Sequence, residues 1–245
     1  VSRATYRELS PARIIETSLT LQRRIDERFP GSSLSQLSTE LCAVAQAAQE
    51  VSVWLARPIW WVRIGVTLAV TSLLLVVLMA LRVMNFNLTD NGFSEILQGV
   101  EAAVNDLVFV GIAVYFLLGV ETRFKRARAL KELHVLRSMA HVVDMHQLTK
   151  DPERLSSIAG PGTDTASSPK RDMTPFLLTR YLDYSSELLA IISKVAAIYV
   201  QRFDDAETLR AAGDIEDLTV GLTRNIWQKI MLLDRIADGP RDSST

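Results

Sequence analysis

His134, His141 and His146 are the only histidines of the chain, and Asp144 lies between the last two. Imidazole and carboxylate groups together bind divalent metals and relay protons near neutral pH, so the stretch LHVLRSMAHVVDMHQL is the first place to look for chemistry. On a continuous helix the spacing works against a site built by one chain. His134 and His141 share a face but stand about 10.5 Å apart along the axis, whereas metal–nitrogen bonds are near 2 Å. His141 and Asp144, three residues apart, supply at most two ligands of one site, and His146 points roughly 140° away from His141. The pair His141 and Asp144 is a metal candidate only with a helix break or with ligands from another subunit, so no cofactor is expected. The plainer expectation is a set of polar residues beside an apolar helix face.

Other catalytic signatures are missing from the sequence. It has no phosphate-binding glycine loop, no nucleophile elbow, no HExxH and no recognisable carboxylate pair, so no catalytic residue and no enzymatic activity are expected. The 27 basic and 28 acidic residues nearly balance, which disfavours nucleic acid as a partner. The single cysteine, Cys42, rules out an intrachain disulfide and reads as a small buried apolar group.

What must position these residues is largely membrane-like. The uncharged run from Ile64 to Leu81, bounded by Arg63 and Arg82, has the roughly 27 Å length of a bilayer's hydrocarbon layer. Trp60 and Trp61 stand at its entrance, as indoles do at headgroup level. The run begins near residue 60 with no cleavage pattern beside it, so it reads as a span and not as a signal peptide. A second run from Leu107 to Val120 reaches span length when counted back to Ala102. Spans are therefore expected at about 60–82 and 101–121.

Lys and Arg crowd one side of both spans. Arg57 and Arg63 precede the first, and Arg123, Lys125, Arg126, Arg128 and Lys131 follow the second. The stretch between Val83 and Val100 has neither Lys nor Arg. The positive-inside bias puts both termini in the cytoplasm of what reads as a bacterial inner-membrane protein. The basic cluster Arg123, Lys125, Arg126, Arg128 and Lys131 is the topology determinant and a contact for anionic membrane lipids. The Asn87 sequon lies too near the bilayer for glycosylation to be expected.

In an antiparallel hairpin Arg63 lies level with Glu121, and Arg82 with Glu101, so both pairs are expected as partners at the boundary. Glu101, Asn105 and Asp106 remain as possible pore or intramembrane polar residues. Glu101 and Asn105, four apart, share a helix face and would line a cation path only in an oligomer. The blander alternative sends Asp106 toward Arg82 or the interface and lets Asn105 bond across helices.

The rest reads as cytoplasmic and helical. One helix opens at Ser10-Pro11, and a second begins around Ser33 with Gln36 in capping-box position. The second carries Leu34, Leu37, Leu41, Ala45, Ala48, Val51 and Leu55 at helical spacing. The second span runs on without a breaker to Gln147. Its apolar groups on two sides, with Val135 and Val142 opposite Leu133 and Leu136, suggest a helix central to its bundle or one that meets a second subunit. Residues 150–174 read as a flexible loop. A wide apolar stripe follows from Leu178 to Phe203, and a last helix repeats the pattern from Ile215 to Leu233.

The expected architecture is all-α: a two-span transmembrane helical hairpin with a cytoplasmic helical bundle built from N- and C-terminal segments. The segments are 1–57 (N-terminal helices), 58–121 (membrane hairpin), 122–149 (extension), 150–174 (loop), 175–238 (C-terminal helical hairpin) and 239–245 (polar tail). The expected function is that of a non-catalytic membrane scaffold or sensor, a homo-oligomer with an unidentified cytoplasmic protein partner. The alternative is an oligomeric ion channel or membrane-permeabilising effector gated by the cytoplasmic domain.

Overall fold

Hydrogen bonding within helices accounts for the whole secondary structure of the computed structural model, which describes residues 8–83, 93–148, 150 and 173–238. No strand occurs among them. The helices are α1 (Pro11–Arg28), α2 (Ser33–Ala56), α3 (Trp60–Val83), α4 (Phe93–Leu118), α5 (Val120–Leu148), α6 (Pro175–Val200) and α7 (Ala206–Asp238). They form two compact units, one of Val1–Ala56 with Arg128–Thr245 and the other of Arg57–Ala127.

In the first unit, turn and capping residues set the boundaries. Ser10 takes the N-cap position of α1 in extended conformation but makes no side-chain cap bond, and Pro11 fills the first turn, where its missing N–H is harmless. Gly31, at φ 67°, turns the chain between α1 and α2, a conformation without steric penalty only for glycine. The cap of α2 is Ser32, whose Oγ accepts from the Ser35 N–H at 3.2 Å. This is one residue earlier than the expected Ser33–Gln36 box, because Pro30-Gly31 completes the turn sooner. Thr174 caps α6 by accepting from Leu177 N–H at 3.3 Å.

Asp205 caps α7, accepting from the Thr208 N–H at 3.1 Å and the Thr208 hydroxyl at 2.9 Å. This helix therefore begins at Ala206, well before the apolar repeat at Ile215 announces it. The segment AETLRAAGD between is helix-forming by propensity and cap instead of by amphipathic pattern.

The centre of this unit is α6. It packs on α1, α2 and α7, and it is buried on nearly every side. Leu182, Leu189, Ile192 and Val195 supply the expected stripe, and Tyr184, Ile191 and Ile198 are buried as well. The periodicity suggests α5 as a helix central to its bundle or one that meets a second subunit, and it is α6, not α5, that takes the central place. Ala129, Leu133, Leu136, Ala140 and Val143 of α5 join the core on one face, Val142 packs partly against it, and Val135 is 40% exposed. A helix is central when its small and aromatic residues fill the gaps between apolar ones, as Ser185, Ser186 and Tyr184 do in α6.

The second unit contrasts with the first. From Trp60 to Leu118 no described side chain is buried. Trp61 is 88% exposed, and Phe109 and Leu107 are each 71% exposed. Two helical stretches, within Ser33–Met79 and Leu107–Leu148, are long and apolar enough to cross a membrane, and none of their apolar windows is buried.

Two boundaries differ from expectation. The helix of the second apolar run starts at Phe93, not near Glu101, and takes the far half of what read as a loop. It ends at Leu118, and Gly119 separates it from α5, where an uninterrupted helix was expected. The i→i−4 pattern nevertheless persists across the break, from Gly119 N–H to Tyr115 O at 3.3 Å and from Arg123 N–H to Gly119 O at 3.1 Å. Glycine permits such a local deviation because, lacking a Cβ, it has the widest backbone freedom of any residue. The Asn87 sequon, most of the 150–174 loop and the 239–245 tail lie outside the described residues.

Two predictions follow from the core. The Tyr199 hydroxyl is buried with no hydrogen-bond partner among the described residues, and burial, with the Glu132 carboxylate nearby, pushes its ionisation well above the usual phenol range. Tyr199→Phe removes an unsatisfied polar atom and keeps the ring. It should raise stability by about 1 kcal/mol, seen as a higher denaturant or thermal midpoint. The Cys42 thiol, 4% exposed and 3.0 Å from the Ser18 hydroxyl, is pushed up in pKa by burial, so maleimide at neutral pH should label it only after unfolding.

Candidate functional site

Glu121 is where the second unit gathers its charge. Its residue follows Val120 in the first turn of α5, just past the Gly119 break. Its Oε2 accepts from Arg63 Nε at 2.8 Å, and its Oε1 accepts from Lys125 Nζ at 2.9 Å and from the Ile59 backbone N–H at 3.2 Å. Each donor arrives for a local reason. Ile59 precedes the first residue of α3, so its N–H has no partner within that helix. A carboxylate at such a helix start is also favoured by the helix dipole. Arg63 follows one turn later on the same face, and Lys125 stands one turn beyond Glu121 on α5.

The expected Arg63–Glu121 pair is thus present, with Lys125 as a third member. Lys125 is itself buried, at 8% exposure. The second expected pair does not form, since Arg82 and Glu101 are not bonded to each other among the described residues. Axial level is not enough to make a pair. Twenty residues along a helix carry Glu101 roughly 160° around from Glu121, onto another side.

The other sequence candidates are dispersed. Glu101 and Asn105 are exposed on α4, and the Asp106 side chain lies outside the described residues. Within the basic cluster, Arg123 stacks over the Phe116 ring at 4.7 Å, Arg128 pairs with Glu132 at 3.2 Å, and Lys131 is exposed. Lys125 is committed to Glu121, and Arg126 also has its own interaction.

The histidines do not assemble. His141 is exposed and Asp144 half-buried, and no group of three His, Cys, Asp or Glu residues placed to hold a metal occurs among the described residues. His146 Nδ1–H donates to the Val142 carbonyl in its own helix at 2.7 Å, which ties that ring to the backbone. His134 lines a shallow groove of about 240 Å³ between α5 and α7, with Arg137, Glu207, Arg210 and Asp214. The helical geometry that separated the rings in sequence keeps them apart in the fold.

One grouping was not anticipated. Arg24 and Arg28 of α1 meet Phe176, Arg180 and Tyr184 of α6 across a cleft. The signal available in the sequence was local: arginines one turn apart at the end of α1, and Phe176, Arg180 and Tyr184 at i, i+4 and i+8. Nothing in the sequence joined the two sets. No protein-family model, curated protein or solved structure matches this chain.

The Glu121 node ties the start of α3 to the first turn of α5. Glu121→Ala should cost roughly 1–3 kcal/mol, because it strands Lys125 and the Ile59 N–H. Arg63 is largely exposed, so its own share is smaller, and a double-mutant cycle between Arg63→Ala and Glu121→Ala should give a coupling of about 1 kcal/mol. Thermal unfolding in detergent checks this, and additive losses would show that the two side chains act independently.

Proposed function

We propose that the chain is a non-catalytic integral membrane protein. In this reading α3 and α4 form an antiparallel transmembrane hairpin, and the remaining helices form a cytoplasmic bundle that oligomerises and acts as a scaffold or sensor for a protein partner. The observation that carries it is the unburied state of α3 and α4. A chain that buries Leu, Ile and Val thoroughly around α6 leaves Leu68, Leu75, Leu78 and Phe109 more than half exposed. In water that surface is strongly unfavourable, whereas hydrocarbon accepts it. Helices with all backbone groups bonded internally are the form such a segment takes in lipid.

The basic residues support the orientation. Arg57, Arg63 and the cluster from Arg123 to Lys131 lie at one end of the two apolar runs, which favours the cytoplasmic side of a bacterial inner membrane for that end and for both termini. The basic side chains that remain exposed there meet anionic lipid headgroups.

An outward apolar stripe on α7 supports oligomerisation. Leu209, Val220, Trp227 and Met231 are 58%, 54%, 52% and 55% exposed. Their spacing places them within about 40° of one another around the helix, with Glu216 and Asp234 along the edge. Trp is a frequent anchor in protein interfaces.

The channel reading keeps one observation in its favour, since Glu101 and Asn105 are both exposed on the same stretch of α4. In planar bilayers the scaffold reading expects no current at any pH. A current abolished by Asp106→Ala would replace it with the channel.

The membrane reading is tested by fractionation. The protein should stay with membranes through alkaline carbonate and enter solution only with detergent. A reporter fused after Thr245 should be active in the cytoplasm, and a periplasmic signal there overturns the topology. Native mass measurement in detergent should give a multiple of the 27.3 kDa chain. Trp227→Lys should shift it toward the single chain while the helical circular dichroism stays unchanged, since Trp227 is half exposed within one chain.

A further inference from the structure

Between the last turns of α1 and the first turns of α6 lies a cleft of about 560 Å³, lined by Arg24, Glu27, Arg28, Phe176, Arg180 and Tyr184. Its three guanidinium groups each lie over an aromatic ring. Arg24 is 5.1 Å from the Tyr184 centroid, Arg28 is 5.5 Å from that of Phe176, and Arg180 is 5.8 Å from the same Phe176 ring. A guanidinium held over a ring by cation–π attraction uses none of its N–H donors in that contact, and these form the fork that matches phosphate and carboxylate oxygens.

The donors are not equally committed. Arg24 Nη1 donates to Glu187 at 2.7 Å and Arg180 Nη1 to Asp183 at 3.1 Å, which uses part of each fork and fixes its direction. Arg28 has no carboxylate partner among the described residues. Glu27, Asp183 and Glu187 offset much of the positive charge nearby. The cleft therefore suits a ligand of low charge held by directed hydrogen bonds, and not a polyphosphate drawn in by a strong field. It is larger than a bare phosphate and falls within the range of small-molecule sites. Phe176 is 58% exposed and offers a planar apolar surface beside the donors. The positive end of the α6 dipole at Pro175 is opposed there by the negative end of α1 at Arg28, so directed hydrogen bonds and not helix dipoles would hold the ligand.

We propose that this cleft binds the phosphoryl group of a singly phosphorylated small ligand, with Arg28 as the principal donor and the apolar remainder lying against the part of Phe176 that Arg28 and Arg180 leave exposed. The site gives the bundle a ligand for its sensor role, yet it lies wholly within the first unit and does not depend on α3 and α4 crossing a membrane. The phosphoryl group has two ordinary sources, a nucleoside monophosphate or a lipid headgroup.

Calorimetric titration of the full chain in detergent with AMP and with dihexanoyl phosphatidate separates these, and adenosine serves as the phosphate-free control. At least one phosphate ester should bind saturably while adenosine does not. AMP binding assigns the site to a nucleotide, and phosphatidate binding assigns it to a lipid. Arg28→Ala should weaken binding about tenfold or more. Arg28→Lys, which keeps the charge and loses the fork, should also weaken it measurably. Arg28 is exposed, so both variants should keep the wild-type unfolding temperature. The proposal is overturned if neither ester binds, if adenosine binds as well as AMP, or if both Arg28 variants bind like the wild type.

Discussion

Apolar side chains must leave water, and this chain meets that demand in two different ways. Around α6 the demand is met internally: Leu182, Leu189, Ile192 and Val195 are sealed from solvent by α1, α2, α5 and α7. Along α3 and α4 it is not met by the chain at all, because two helices side by side cover only a narrow strip of each other's surface. The two helices are long and apolar enough to cross a membrane, and their apolar windows are not buried. The placement of charge depends on that difference. In the second unit ionic groups collect at the end of the apolar run, where Glu121 binds three donors at once.

The bundle has its own constraint. A helix buried on nearly all sides leaves little room for polar atoms, and α6 handles its serines by turning them inward. Ser185 donates to the Tyr181 carbonyl at 2.9 Å and Ser186 to the Asp183 carbonyl at 2.8 Å, so neither needs a partner from another helix. Tyr199 lacks such a solution for its hydroxyl. Its ring fills volume near the far end of the helix at the expense of one unsatisfied group, which fits a position selected for packing.

The legible part of this fold was what depends on near neighbours in sequence. The apolar spacing of α2 named each of its buried leucines, and the proline and serine punctuation placed the starts of α1 and α6. Axial arithmetic for the expected hairpin found Arg63 and Glu121, which do pair. It failed for Arg82 and Glu101 because it ignored rotation about the helix. The early start of α7 was hidden because Asp205 caps a segment whose helicity comes from propensity, without an apolar stripe to reveal it. The central place of α6 was hidden for the opposite reason. Tyr184, Ile191 and Ile198 fall outside the stripe a one-sided helix shows, and which helix ends up in the middle depends on all its neighbours. The arginine cleft had no sequence signature, as it brings together residues such as Arg24 and Glu187 that are 163 positions apart.

That separation bears on how the chain is made. The helices α1 and α2 leave the ribosome before α6, paired with each other, but the surface that completes their burial arrives only with α6. At ordinary translation rates of about 5–20 residues per second, well over a hundred residues of chain take roughly 6–25 s to emerge. Throughout that wait Leu34, Leu41 and Ile25 lack the part of their shelter that α6 supplies. Nascent chains of this protein should therefore depend on holding factors early in synthesis, and a stop codon placed before Pro175 would leave a product prone to clumping instead of a smaller folded domain.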